Sequence, residues 1–474
     1  MHCAACIPAR PGRWRPWRAA ALGCGLALLA ACASAPPPAG ALPPVDVPAQ
    51  WSTAAPGAAG PAQAGALARW WEGLGDAQLA ALVAQALQAQ PSVQAAQSAL
   101  RQARAQVRVQ QAGLLPQVDA SASAQRSRSG GTAGNSFQAG FDALWEPDLF
   151  GRLDAGLQAS AADARAAQAS LEQVQVSLAA EVALQYISVR GLQQRLAIAQ
   201  RNLESQQQTL QITDWRVQAG LATALVAEQA RAAAAQTAAQ VPQLQASLAQ
   251  ARHALAVLTG QAPAALDAAL AAPGPVPLPS EAVLLDIPAD TLRQRPDVRA
   301  AQERVQAALA RVSQADAARY PSLRLSGSLG LRALTLGALG DGASVVQTLL
   351  GSLAVPVFDG GAAQARVDVQ QEALEQARSA YQSAVLAALQ EVEDALAVLQ
   401  GERARLARLQ EAAQAADQAA LLAGQRYASG LIDFAAVLET QRTLLATQDA
   451  VAVSQASLGT GHVRLYKALG GGWP

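Results

Sequence analysis

Lysine occurs once in this chain of 474 residues, at Lys467, methionine once and histidine three times. Aromatic side chains make up only 4%, which excludes a conventional core built on large rings. Acidic and basic residues balance at 35 each; without a cationic surplus the chain lacks the electrostatic basis for binding nucleic acid. The four cysteines, Cys3, Cys6, Cys24 and Cys32, lie within the first 32 residues. Everything beyond them is free of disulfides, thiolate metal sites and cysteine nucleophiles. Proline is absent between Gly151 and Gly220 and between Gly360 and Gly430. What fills the chain instead is alanine, about a quarter of all residues, with frequent Gln, Leu and Arg. That is the composition of long helices and coiled coils.

No catalytic constellation stands out, and an enzyme is not expected. His253 and His462 are isolated within helical stretches, and no phosphate-binding loop is present. Glu391, Glu393 and Asp394 cluster, but a solvated or inter-subunit helix face accounts for them better than acid–base work. No cofactor is expected beyond covalent lipid.

The amino terminus carries an address. Arg10, Arg13, Arg15 and Arg18 precede an apolar run from Ala19 to Ala31, the charged and apolar regions of a secretory signal. At 13 residues the run is short of the ~20 that a spanning anchor needs. It ends in Leu29-Ala30-Ala31-Cys32, a lipobox pattern, so residues 1–31 are expected to be removed and Cys32 to carry diacylglycerol and N-acyl chains. Ala33, where an aspartate would favour inner-membrane retention, points to the outer membrane. Residues 32–66, rich in Ala, Pro and Gly, read as an acylated tether.

The remainder is written twice. Pro91-Ser92-Val93-Gln94-Ala95-Ala96-Gln97 parallels Pro296-Asp297-Val298-Arg299-Ala300-Ala301-Gln302, 205 residues later. At an offset of 210, Glu181-Val182, Arg216, Gly220-Leu221 and Gly260 match Glu391-Val392, Arg426, Gly430-Leu431 and Gly470. The units are placed at 67–262 and 291–470, with a proline-rich linker at 263–290 and a tail at 471–474.

Each unit predicts a helix, two strands, a very long helix and a medium helix. Pro91 and Pro296 suit the first helical turn. Phe137, Ala139, Phe141, Ala143 and Trp145, and then Leu323, Leu325, Leu329 and Leu331, alternate as half-exposed strands do. Gly-containing stretches at Arg126–Asn135 and Arg332–Ser344 are expected as the loops joining each strand pair. Apolar residues then recur every three or four positions, as at Leu171, Val174, Leu178, Val182 and Tyr186, the seam of a coiled coil. A 65-residue helix is roughly 100 Å long. It should turn at Gly220 and Gly430 and return as Thr223–Thr259 and Asp433–Leu469, with a kink at Pro242. The first and last helices of each unit together match the long one, so they are expected to stack along it nearly end to end.

Four strands cannot close a membrane barrel, which needs about eight, and an open edge in lipid strands its backbone groups. Two chains would supply eight strands with a filled lumen; three would supply twelve and leave a pore.

These residues resemble the lipid-anchored outer membrane efflux proteins, the TolC-like outer membrane factors of tripartite pumps. The markers are Trp70-Trp71, Gly113-Leu114-Leu115-Pro116, Trp145-Glu146-Pro147-Asp148-Leu149-Phe150-Gly151-Arg152, Arg295-Pro296-Asp297, Tyr320-Pro321, Pro356-Val357-Phe358-Asp359-Gly360-Gly361 and Arg426-Tyr427-Ala428-Ser429-Gly430. Pro147 departs from the usual aliphatic residue there and pairs with Pro356 in the second unit. The resemblance implies a mainly α fold with a membrane β-barrel part: a homotrimer with a coiled-coil α-barrel tunnel and a 12-stranded β-barrel. It implies an exit duct in the outer membrane for drugs or other small toxic solutes. Its partners would be a periplasmic adaptor, a proton-driven inner-membrane pump and outer membrane lipid. The alternatives are the exit duct of a type I protein secretion system and, from another class, a non-porous lipid-anchored coiled-coil scaffold. Gly220, Leu221, Thr223, Gly430 and Leu431 would be adaptor-docking tips. Glu439 aligns with an acidic position of the periplasmic gate, and Ala435 stands where relatives often carry a bulky aliphatic residue.

Overall fold

The computed structural model describes residues 42–43, 51, 69–279 and 289–471. Cys32, the signal segment and most of the tether lie outside the described residues, as do 280–288 of the linker and 472–474 of the tail.

The chain enters through a short 3₁₀ turn at Trp70–Leu74, then α1 (Ala77–Ala89) and α2 (Pro91–Ala112). A hairpin follows, β1 (Gln117–Ser129) and β2 (Thr132–Trp145), then α3 (Arg152–Gln218) and α4 (Ala224–Leu258). The order repeats as α5 (Pro296–Ala317), β3 (Ser322–Ala333), β4 (Val345–Ala354), α6 (Ala362–Ala428) and α7 (Phe434–Ala468). Both long helices have 67 residues and both return helices 35. At 1.5 Å per residue each long helix runs about 100 Å.

The duplication governs packing as well as order. α3 packs against α2 and α4 of its own unit and against α5 and α7 of the other, whereas α6 packs against α5 and α7. The helices thus form a row with α2/α4 at one end and α6 at the other. Alanine makes the close approach possible: Ala155, Ala159, Ala162, Ala166 and Ala169 form one buried stripe of α3. α4 runs unbroken through Pro242, so the lost hydrogen bond and ring clash there are absorbed without ending the helix.

The main core lies around the middle of α3. Asp76 caps α1 by accepting from the Gln78 and Leu79 amides, and its other oxygen accepts from the Tyr186 hydroxyl at 2.7 Å. Burial, then that hydrogen bond, pushes the Tyr186 phenol up to about 12. Buried Arg190 donates to Tyr186, Gln193, Gln78 and the Ala272 carbonyl. The part of the linker that is described therefore wraps the midpoint of the long helix, and Trp70 stacks on Tyr466 nearby at 5.2 Å. His462 is buried in this region, and its pKa falls to about 4 because burial and then Arg403 disfavour the imidazolium. It is a neutral packing residue.

One expectation needs correction. The loop expected at Arg126–Asn135 is a two-residue turn: Gly130 and Gly131 have φ of 58° and 84° and the strands extend to meet them. Two left-handed residues match the twist of a hairpin, and Gly-Gly supplies them without strain. Glu391 is exposed, as a solvated helix face requires, and it also has a partner within the chain. It pairs at 2.8 Å with buried Arg295, which also holds Asp297 and the Ala468 carbonyl. Residues 96 apart in sequence meet because α5 and α6 pack side by side.

Candidate functional site

The four strands form one antiparallel sheet, β1-β2-β3-β4, whose outer edges pair with no other strand among the described residues. Its register sorts the side chains by chemistry. Val118 and Ala120 lie opposite Ala143 and Phe141, Phe141 opposite Leu329, and Leu331 and Leu323 opposite Val345 and Leu353. The other face carries a row of Asp119, Asp142, Ser328 and Thr348. Gly140 and Gly330 lie opposite each other, and a Cβ on Gly140 would sit 2.6 Å from the Gly330 Cα. In the edge strand β4 every residue is exposed, Leu349 to 86%. A sheet with one apolar and one polar face suits lipid on one side and water on the other. Among the described residues no helix is long and apolar enough to cross a membrane.

The strand-to-helix junctions explain the motifs there. Trp145 Nε1 donates to the Leu114 carbonyl, Glu146 pairs with Arg152 at 2.5 Å, and Asp148 accepts from the Asp154 amide that opens α3. Phe150 stacks on Tyr320 of the second unit at 5.2 Å. In that unit Asp359 accepts from the Gly361 and Ala363 amides, and these bonds lower its pKa.

The far ends of the long helices form the second region. Gly220 and Gly430 adopt φ of 74° and 75°, and the Leu221 and Leu431 amides close the same turn onto the Arg216 and Arg426 carbonyls at 2.7 and 2.9 Å. Glycine is required there, since the left-handed cap disfavours a side chain. The turns leave Leu221 and Leu431 exposed to 77% and 74%. Thr223 caps α4 by position, with no bond from its side chain, whereas Asp433 accepts from the Ala436 amide.

The structure brings both tips together. Ala230, Ala233, Ala423, Phe434, Val437 and Leu438 form a small buried cluster, separate from the main core. Because Phe434, Val437 and Leu438 face inward, Ala435 and Glu439 share the opposite, exposed face of α7. Glu439 lies about 8 Å along the helix from its start. Sequence reasoning missed the exposed apolar neighbours Ile212, Trp215 and Leu225 at the first tip. The signal was available: Trp215 is the one aromatic residue on the last two turns of α3.

A family model described as outer membrane efflux protein matches residues 82–261 and 287–471. The chain belongs to the outer membrane efflux protein family. Its relatives include the outer membrane protein OprJ of Pseudomonas aeruginosa, 33% identical over 418 residues, covering 85% of this chain and 86% of OprJ. The pyoverdine export outer membrane protein OpmQ of Pseudomonas putida is 33% identical over 462 residues, covering 94% of this chain and 96% of OpmQ. Among solved structures, the outer-membrane channel OprN superposes with a TM-score of 0.84 at 34% identity, covering 91% of this chain and 99% of that one. This efflux protein is accordingly an outer membrane channel whose α-helical body extends into the periplasm, and the two-faced sheet is its membrane part.

Proposed function

We propose that the chain assembles as a homotrimer into a passive exit duct for small toxic solutes, fed by an inner-membrane pump through a periplasmic adaptor. The observation that carries this is the sheet: four strands, one apolar face, one polar face and two open edges, continuous with 100 Å helices. Open edges cost several kcal/mol per unpaired group in lipid, and three copies supply twelve strands. A scaffold without a pore has no use for such a sheet. The export named for OpmQ is of a small molecule, which favours solute efflux over protein secretion. The duct carries out no chemical step, so the energy belongs to the pump. The test is direct: the purified protein in detergent should have the mass of three chains and should conduct ions in a planar bilayer. A monomer without conductance would overturn the reading.

Cys32 is proposed as the acylated residue that ties the mature chain to the outer membrane. Cys32→Ala should abolish labelling by a fatty-acid analogue and leave the precursor unprocessed. Persistent labelling would place the lipid elsewhere.

A further inference from the structure

Arg216, two residues before the end of α3, crosses to the end of α6. Its Nη1 donates to the Tyr427 carbonyl at 3.2 Å and its Nη2 to the Ala428 carbonyl at 3.1 Å. Its guanidinium lies 4.4 Å from the centre of the Tyr427 ring. The acceptors are the last carbonyls of a 67-residue helix, which lack intrahelical donors and carry the negative end of the helix dipole. A planar fork of donors suits two adjacent oxygens. Because both acceptors are main-chain atoms, this clamp makes little demand on side-chain identity.

Arg426 occupies the same place on the second tip, two residues before the end of α6 and 210 residues after Arg216. The surrounding backbone is duplicated too: Gly220 and Gly430 donate to the Val217 and Tyr427 carbonyls, each at 3.0 Å. Yet within one chain the Arg426 side chain is exposed and meets no hydrogen-bond, ion-pair or ring partner among the described residues. The acceptors that correspond to Tyr427 and Ala428 are the carbonyls of Val217 and Gln218, at the end of α3 on the first tip, beside the α4 that ends the helix row away from α6. Among the described residues α6 is packed by α5 and α7, and no element packs extensively on the face corresponding to the one that α3 turns toward the second unit.

We propose that Arg426 clamps the first tip of a second copy of this chain, its guanidinium forked over that copy's Val217 and Gln218 carbonyls. The same arginine contact then closes the ring of tips within chains through Arg216 and between chains through Arg426. Val217 stands where Tyr427 supplies a ring, so the clamp between chains lacks the cation–π contact and is the weaker of the two. This inference rests on the oligomeric channel reading and adds to it a named seam.

The test uses the full chain in outer membrane preparations. Arg426→Cys combined with Gln218→Cys, treated with a short bifunctional thiol reagent, should shift the denatured band from one chain to two and three. Arg216→Cys with Ala428→Cys should react within a chain and leave the band at the mass of one. Each single substitution, treated alike, controls for Cys32. If the protein has the mass of a trimer in detergent but the Arg426–Gln218 pair yields only single-chain product, the seam is wrong. If no trimer forms at all, the channel reading fails instead.

Discussion

Aspartate at both Leu221 and Leu431 should abolish efflux while leaving trimers and conductance intact. The two leucines are about three-quarters exposed, and each sits on a glycine turn whose backbone bonds do not involve its side chain. Their removal therefore costs the fold little. Burying a leucine in a docking partner is worth about 1.5–3 kcal/mol, and a buried unpaired carboxylate adds a desolvation penalty of several kcal/mol. With six such positions per trimer, the adaptor contact should fall by well over a hundredfold. Ile212, Trp215 and Leu225 are further exposed apolar residues near the first tip, so Leu221→Asp alone should do more harm than Leu431→Asp alone. Cross-linking to the adaptor and resistance to exported solutes are the readouts. Wild-type values for both in the double variant would remove the tips from the docking surface.

A second large effect is expected at Glu439. It is exposed on α7 beside Ala435, on the face opposite the Phe434, Val437 and Leu438 cluster. If Glu439 rings the periplasmic mouth of the proposed trimer, three carboxylates face one another across a narrow opening, where the effective dielectric is below that of water. Cations should collect there and pass in preference to anions. Glu439→Gln removes the charges with almost no change in volume, so cation selectivity should drop several-fold and block by divalent cations should weaken. With alanine at 435 no bulky apolar ring would supplement the carboxylates at such a mouth, so the effect of removing the charge should be the larger. Glu228→Gln is the control: it is exposed on α4 and paired with Arg231 at 2.6 Å. Glu391 would be a poor one, because its loss leaves buried Arg295 without one of its two carboxylates. Equal selectivity in wild type and Glu439→Gln would move the constriction elsewhere.

The tips show how far the residues alone carry such reasoning. The turns at Gly220 and Gly430 and the exposure of the leucines after them are local consequences of a left-handed cap, legible in a glycine that ends a long apolar repeat. The pairing of the two tips is not local. Arg216 reaches carbonyls 211 and 212 residues away, and main-chain acceptors leave no mark in a sequence. The same holds at the middle of α3, where Asp76 meets Tyr186 across 110 residues. It holds again for Glu391, which reads as one acid among three until α5 brings Arg295 against it.

The amino-acid sequence by itself determined the duplicated unit, the very long helices of about 65 residues, the reversal points and the two-faced strands. Each follows from short-range rules: absence of proline, periodicity of three to four or of two, and glycine where φ must be positive. Only the tertiary structure decided the row order of the helices, the single sheet joining both hairpins, and the arginine that binds one tip to the other while its duplicate stays exposed. Those depend on which surfaces meet across some two hundred residues, and a pattern that repeats in both units cannot say which copy of a contact is made within the chain.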